Sequence, residues 1–180
     1  METTTTSRTY AIDPAHSEVG FAVRHLMISK VRGYFTGFTG KITLGPTGEV
    51  PTKIEASIDA TTVSTRQDKR DVHLKSADFF DTDKYPRITF ISTSVTGSGS
   101  EFAATGDLTI RDVTKSVTLK GEVGGTTTDP WGNFRVGYSV TTRINRKDFG
   151  VNFNAPLETG GVMLGDDVDI TIEISATQEK

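Results

Sequence analysis

Val168-Asp169-Ile170-Thr171-Ile172-Glu173-Ile174-Ser175 alternates branched apolar side chains with polar ones over eight residues. Successive side chains of a β-strand point to opposite faces, so this beat puts Val168, Ile170, Ile172 and Ile174 on one face and the polar set on the other. A helix would smear the same charges around its circumference. The segment therefore reads as a strand with one buried and one wet face.

Moving outward, period two returns at Val19, Phe21, Val23 and His25, opposite Glu18, Gly20, Ala22 and Arg24. It returns again at Ile54, Ala56, Ile58 and Ala60, whose neighbours Glu55, Ser57 and Asp59 are polar. Further candidate strands cover residues 31–44, 87–96, 101–110, 116–124 and 134–144, roughly eight in all, at the spacing of an all-β fold. Turn chemistry separates them: Gly45-Pro46-Thr47-Gly48, Gly97-Ser98-Gly99-Ser100 and Asp129-Pro130-Trp131-Gly132-Asn133 supply the φ values that tight reversals need, so neighbouring strands run antiparallel. One stretch, residues 66–74, reads as helix, with Thr65 as its cap and Asp68 as the capping-box acid. A second short turn is expected over residues 77–81. The domain spans residues 10–177, flanked by a flexible tail at residues 1–9 and a short one at 178–180.

A chain of 180 residues suits one domain with a core that stands without staples. Lys and Arg number 20 against 23 Asp and Glu, a net charge of -3, which offers no broad basic surface to nucleic acid. There is no cysteine, which excludes a disulfide framework and a thiolate metal site. The opening residues contain no apolar run of the secretory kind and no later stretch reaches membrane-spanning length. The expectation as written is a cytoplasmic chain without an integral membrane segment, with a periplasmic or secreted location open if a signal sequence has been removed.

Strands with one apolar face are satisfied either by two packed sheets or by one sheet closed on itself. Gly33, Gly40, Ala56, Ala60, Ala104, Gly106 and Gly121 recur on the apolar faces. Such small residues either leave an internal cavity or seat neighbouring aromatic rings in a packed interior, and alternation alone leaves both readings open.

Several strings, taken in order, resemble the YceI-like family of bacterial polyisoprenoid-binding, lipocalin-like proteins. They are Asp13-Pro14-Ala15-His16-Ser17, Phe21-Ala22-Val23-Arg24-His25, Gly33-Tyr34-Phe35-Thr36-Gly37-Phe38, and a central run from Arg70 through His73, Ser76 and Asp78-Phe79-Phe80-Asp81 to Tyr85-Pro86. Gly106-Asp107-Leu108-Thr109-Ile110 and Asn145-Arg146-Lys147-Asp148-Phe149-Gly150 complete the match. The resemblance implies a closed, antiparallel, eight-stranded barrel with a short helical insertion and an apolar pore for a long isoprenoid tail. It also makes a homodimer one arrangement to expect.

The expected ligand contacts are Phe21, Val23, His25, Phe35, Phe38, Phe90, Ala104, Leu108, Phe134 and Tyr138, an aromatic and aliphatic lining. Arg70, Lys84 and Arg146 are candidates for a polar head group, since an anionic phosphate needs cationic donors. Ionic ties Arg70–Asp71 and Arg146–Asp148 are their structural alternative. The function expected is binding of a polyisoprenoid-type lipid, an isoprenoid phosphate or a quinone tail, for transport, storage or sequestration, with no catalytic residue and no cofactor beyond the lipid. Two alternatives stand beside it. One is a metal-dependent barrel enzyme using His16, His25 or His73, although these lie on different elements without the paired spacing of metal ligands. The other is a stress-related interaction scaffold. Ser17, Ser64 and Ser76 fall outside any nucleophile elbow, and capping is the expected job of the last two.

Overall fold

The computed structural model describes residues 6–180, and in it the alternating C-terminal segment is a strand paired along both edges. The described residues form eleven strands: β1 (Arg8–Ile12), β2 (Glu18–His25), β3 (Ser29–Phe35), β4 (Phe38–Leu44), β5 (Pro51–Asp59), β6 (Val63–Ser64), β7 (Arg87–Ser98), β8 (Glu101–Ile110), β9 (Val113–Thr128), β10 (Phe134–Asn145) and β11 (Leu164–Gln178). A single α-helix, α1 (Asp68–Lys75), lies between β6 and β7.

Three pairs of these strands are halves of longer, bent ones. β1 and β2 both pair with β11, β1 at residues 176–178 and β2 at residues 164–173. β3 pairs with β2 while β4 pairs with β1, and β6 continues the line of β5 to pair with β3. Counted as continuous strands, the sheet is an eight-stranded antiparallel meander in which the last strand returns to the first, so the barrel closes. Closure removes the exposed edges that an open sheet would leave.

Each bend has a local cause. Pro14 lacks the N–H that a ladder needs, and Asp13 accepts the Ala15 N–H at 3.0 Å, starting a single 3-10 turn over Pro14–His16. Asp59 does the same for a 3-10 turn over Ala60–Thr62, accepting the Thr61 N–H at 3.0 Å. Gly37, between β3 and β4, donates its N–H to Thr62 Oγ1 at 2.9 Å.

The helix differs from expectation. It begins at Asp68, and Gln67 at its cap makes no side-chain bond. The reason is Arg66, whose φ of 64° is left-handed and cannot open a right-handed helix. Thr65 is therefore not the cap. Instead, Asp71 Oδ1 accepts the Thr65 N–H at 2.8 Å and its hydroxyl at 2.6 Å, while Arg70 donates to Thr65 Oγ1 at 2.7 Å and to its carbonyl at 2.8 Å. Arg70 and Asp71 thus tie the helix to the barrel separately, through the buried Thr65, rather than as an ion pair. The tails also differ: Arg8 and Thr9 belong to β1, Gln178 pairs with Tyr10, and Glu179 N–H bonds the Thr9 carbonyl at 2.8 Å. Residues 1–5 of the expected N-terminal tail lie outside the described residues.

The interior has two zones. At the end carrying the turns after β4 and β7, Tyr10, Ile42, Leu44, Ala104, Val136, Tyr138 and Ala176 are at most 3 % exposed and form a close-packed plug. Phe102 stacks edge-on against Tyr138 there, with ring centroids 5.6 Å apart, and the Tyr138 hydroxyl donates to the Glu49 carbonyl at 2.6 Å. Toward the end covered by α1 the packing opens into a cavity. Three of the inward glycines serve as seats for rings. A Cβ on Gly33, Gly106 or Gly121 would collide with the rings of Phe21, Phe90 or Phe102, so these glycines fill rather than vacate the interior. No helix among the described residues is long and apolar enough to cross a membrane.

Candidate functional site

The cavity measures about 290 Å³, at the small end of the range for ligand sites. Its wall is built from the inward positions of the strands, among them Phe21 of β2, Phe35 of β3, Ile58 of β5, Phe90 of β7, Leu108 of β8 and Val140 of β10. Strand alternation delivers these residues to one side of the sheet, and closure of the sheet makes that side a lumen.

At the helix end the wall is made by segments outside the strands. Phe79, in the turn after α1, and Phe153, in the irregular stretch before β11, form a three-ring cluster with His73, which meets each of them edge-on at centroid distances of 5.0 and 4.8 Å, while the two Phe rings lie 5.3 Å from each other. His73 Nε2 meets Asp78 Oδ2 at 2.8 Å on its outer side. Phe80 crosses over to pack on Phe35 at 5.6 Å. This aromatic layer is the roof of the lumen.

Arg146 sits beneath that roof in a 3-10 turn over Arg146–Phe149, which follows β10 and which Asn145 caps by accepting the Lys147 N–H at 2.9 Å. Its Nε donates to the Gly165 carbonyl at 2.8 Å, and Nη1 donates to the carbonyls of Val151 and Phe153 at 2.9 and 2.8 Å. These bonds hold the irregular 150–163 stretch against the barrel. The residue is only 6 % exposed, and its Nη2 has no hydrogen-bond partner. Burial pushes the guanidinium pKa below its ordinary value, with Asp166 opposing the shift. The expected Arg146–Asp148 tie is not formed, because the carbonyls of the 150–165 region take the donors instead.

Of the ten expected ligand contacts, Phe21, Val23, His25, Phe35, Phe38, Phe90 and Leu108 line the cavity. Ala104 and Tyr138 face inward but belong to the plug, at 0 % and 2 % exposed. Phe134 is 59 % exposed, because it opens β10 beyond the packed end of the lumen. Arg70 and Arg146 stand on the cavity wall, whereas Lys84 is exposed in a turn away from it. Sequence reasoning missed Phe79, Phe149, Phe153 and Met163, all on the wall. They lie outside the strands, where period two carries no information; the only signals were the Asp78-Phe79-Phe80 and Asp148-Phe149-Gly150 strings.

The three histidines do not converge. His16 lies on the outer surface at the β1–β2 bend with Nδ1 at 2.7 Å from Asp13 Oδ2, His25 ends β2, and His73 is on α1. Among the described residues no three His, Asp or Glu side chains are grouped to hold a metal ion. Asp13 is a structural junction: besides capping the bend it takes Arg135 Nη1 at 2.9 Å, and Arg135 Nε reaches Asp129 Oδ2 at 2.8 Å. The bond from His16, then that from Arg135, holds the Asp13 carboxyl below its usual range, and Arg135 does the same for Asp129. Ser17 completes this corner by donating to the Ser175 carbonyl at 3.2 Å and accepting the Ser175 N–H at 3.0 Å. Ser76 does serve at the helix end, its hydroxyl donating to the His73 carbonyl at 2.6 Å.

Residues 10–176 match the model of the YceI-like domain. A UPF0312 protein of Staphylococcus aureus is 44 % identical over 161 residues, covering 88 % of this chain and 91 % of that protein. The YCEI protein of Campylobacter jejuni is 31 % identical, with a TM-score of 0.75 over 87 % of this chain and 90 % of its own. Burkholderia cenocepacia BcnA shares the fold at a TM-score of 0.78 and 21 % identity, covering 91 % of this chain and 98 % of its own. So does a polyisoprenoid binding domain from Saccharophagus degradans implicated in plant cell wall breakdown, at 0.69 and 14 %, covering 94 % and 98 %.

Proposed function

The chain belongs to the YceI-like family, and on that premise we propose that it binds a long apolar ligand of polyisoprenoid type in its lumen, for transport, storage or sequestration, and does not transform it. The observation that carries this reading is the lumen itself: a cavity of about 290 Å³ walled by aromatic and aliphatic side chains, sealed at one end by the plug. The name of the Saccharophagus degradans domain, a structural neighbour, supports the ligand class.

Energetics favour a long tail. Association costs roughly 4–15 kcal/mol, and each buried methylene returns about 0.8 kcal/mol, so on the order of ten buried carbons are needed before a ligand is held. A small apolar molecule falls short. The metal-enzyme reading gains no support from three histidines on separate elements.

The test is reconstitution. Protein stripped of lipid is titrated with geranylgeraniol and with a fatty alcohol of similar length, and native mass spectrometry counts bound molecules. One equivalent of an intact lipid, recovered unchanged, is expected. Absence of binding together with absence of lipid in gently purified protein would overturn the proposal.

A further inference from the structure

The turn between β2 and β3 holds Leu26, Met27 and Ile28, which are 39 %, 48 % and 84 % exposed. The Ile28 N–H closes it on the His25 carbonyl at 3.2 Å, so Leu26 and Met27 are its central residues, with φ of 53° and 65°. A hairpin turn with both central residues left-handed is the usual place of Asn-Gly, because bulky side chains are strained there. None of the three belongs to the core or to the cavity wall, so the strained backbone holds apolar side chains in water with no packing in the fold to offset it. Val162 extends the patch: it is exposed and follows Gly161, which lies against Met27. Four of the eight large apolar side chains exposed among the described residues thus gather at one corner.

That corner is the rim of the lumen. His25, beside the turn, lines the cavity, as do Met163 and Leu164 across from it, and the Leu26 N–H donates to the Met163 carbonyl at 2.8 Å. Asn154, next to Phe153 of the roof, accepts the Leu164 N–H at 3.0 Å and donates to the Leu164 carbonyl at 2.8 Å, which joins the tip to the roof. Behind the tip the hairpin is cationic. Arg24 and Lys30 stand directly opposite each other, a repulsive placement, and Arg32 is the next outward residue of β3. Asp169 of β11 is shared between Lys30 Nζ at 3.1 Å and Arg143 Nε at 2.7 Å, and Asp166 is taken by Lys147 at 3.2 Å. Asp169, Glu158 and Asp167 set against Arg24, Lys30, Arg32 and Arg143 leave this region net positive in a chain whose total charge is -3.

Resting on the lumen-binding reading above for its cargo, we infer that this turn is a membrane-docking tip: Leu26, Met27 and Ile28 insert into the surface of an anionic phospholipid bilayer, and Arg24, Lys30 and Arg32 meet its phosphates. An apolar tip behind a cationic collar is the pattern of interfacial binding, in which buried apolar area and attraction to anionic lipid add. The position explains the exposure. A long apolar tail partitions into bilayers, and a rim seated on one lets the tail pass between bilayer and lumen without crossing water.

The test is co-sedimentation of the full chain with vesicles of phosphatidylcholine, alone or with about a quarter phosphatidylglycerol. Binding to the anionic vesicles should exceed binding to the neutral ones about tenfold at low salt, and by less at high salt. Leu26→Asn with Met27→Gly installs the residues such a turn prefers, so Tm should hold or rise while vesicle binding falls about tenfold or more. Lys30→Gln with Arg32→Gln should lower binding to anionic vesicles about fivefold and leave neutral ones unchanged. Trp131, the single tryptophan, lies in the turn before β10 at the plug end, so brominated phospholipid should not quench it. Undiminished vesicle binding by the turn variant, indifference to phosphatidylglycerol, or quenching of Trp131 would overturn the assignment. So would a wild-type protein that ignores vesicles and instead forms a dimer abolished by the turn variant. Two controls separate this proposal from lumen binding. Ala56→Phe, which fills the lumen, should still bind vesicles, and the turn variant should still bind geranylgeraniol delivered in ethanol within about twofold. Vesicle binding by a wild-type protein that takes up no geranylgeraniol would sink the lumen-binding reading and leave the docking tip standing.

Discussion

Replacing Ala56 by Phe separates an open lumen from a packed core. Ala56 is an inward residue of β5, opposite Gly40 of β4 and Phe90 of β7, and it lines the cavity. The substitution adds six carbons in the path of the tail. Excluding a like number of buried methylenes, at about 0.8 kcal/mol each, removes about 5 kcal/mol of binding energy, more than a thousandfold in Kd. The ring itself occupies existing space, so the folded state should change by less than about 1.5 kcal/mol, whereas overpacking a filled core costs about 1–3 kcal/mol or more. Ala104→Phe is the matched control, because Ala104 is 0 % exposed inside the plug and has no such space. Denaturant unfolding and lipid titration on both variants give the readout. The expected pattern is a stable Ala56→Phe that no longer binds lipid and a destabilised Ala104→Phe. An Ala56→Phe protein that is folded and binds with wild-type affinity would show that the tail does not occupy this part of the lumen, and an Ala104→Phe protein of unchanged stability would show that the plug is not close-packed.

Gly106→Ala should destabilise far more than Gly33→Ala, since the new Cβ at 106 meets the Ile91 carbonyl and the Ser92 Cα, backbone that cannot yield, while at 33 it meets only the movable Phe21 ring; thermal melts decide, and equal losses would contradict it. Asp13 and Asp129 have folded pKa values held below the ordinary 3.8. Their ion pairs therefore contribute stability that is present at neutral pH and lost as pH falls through the depressed folded values. Arg135→Leu should lower Tm at pH 7 and lose most of that effect near pH 2, and a Tm deficit independent of pH would count against the junction. Lys84→Ala and Phe134→Ala, both away from the lumen, should leave lipid affinity within about twofold, and a larger loss in either would place ligand outside the cavity.

Period two made the inward faces of the barrel legible, and the bends in three of its strands did not disturb the count of eight. It could not report depth along the barrel axis. Phe21, Tyr138 and Phe134 all lie on the inward beat, yet one lines the cavity, one is sealed in the plug and one emerges beyond the strand end. Depth depends on register between strands distant in sequence, which alternation within one strand does not encode. Nor could the small residues be read as space, because Gly33 and Gly121 take rings from the neighbouring strand, a contact set by the same register. The roof over the lumen was invisible to periodicity, being built from turns. Arg146 was legible as a charge beside a turn, but not its burial, which comes from the 150–163 stretch folding over it.

Whether the apolar tail lies inside the barrel is read from intermolecular nuclear Overhauser effects to a bound polyisoprenyl chain. Contacts are expected from the tail methyls to the rings of Phe21, Phe35 and Phe90, which face the cavity. Contacts confined to Trp131 and Phe134, which are 80 % and 59 % exposed beyond the packed end of the lumen, would place the tail outside the barrel.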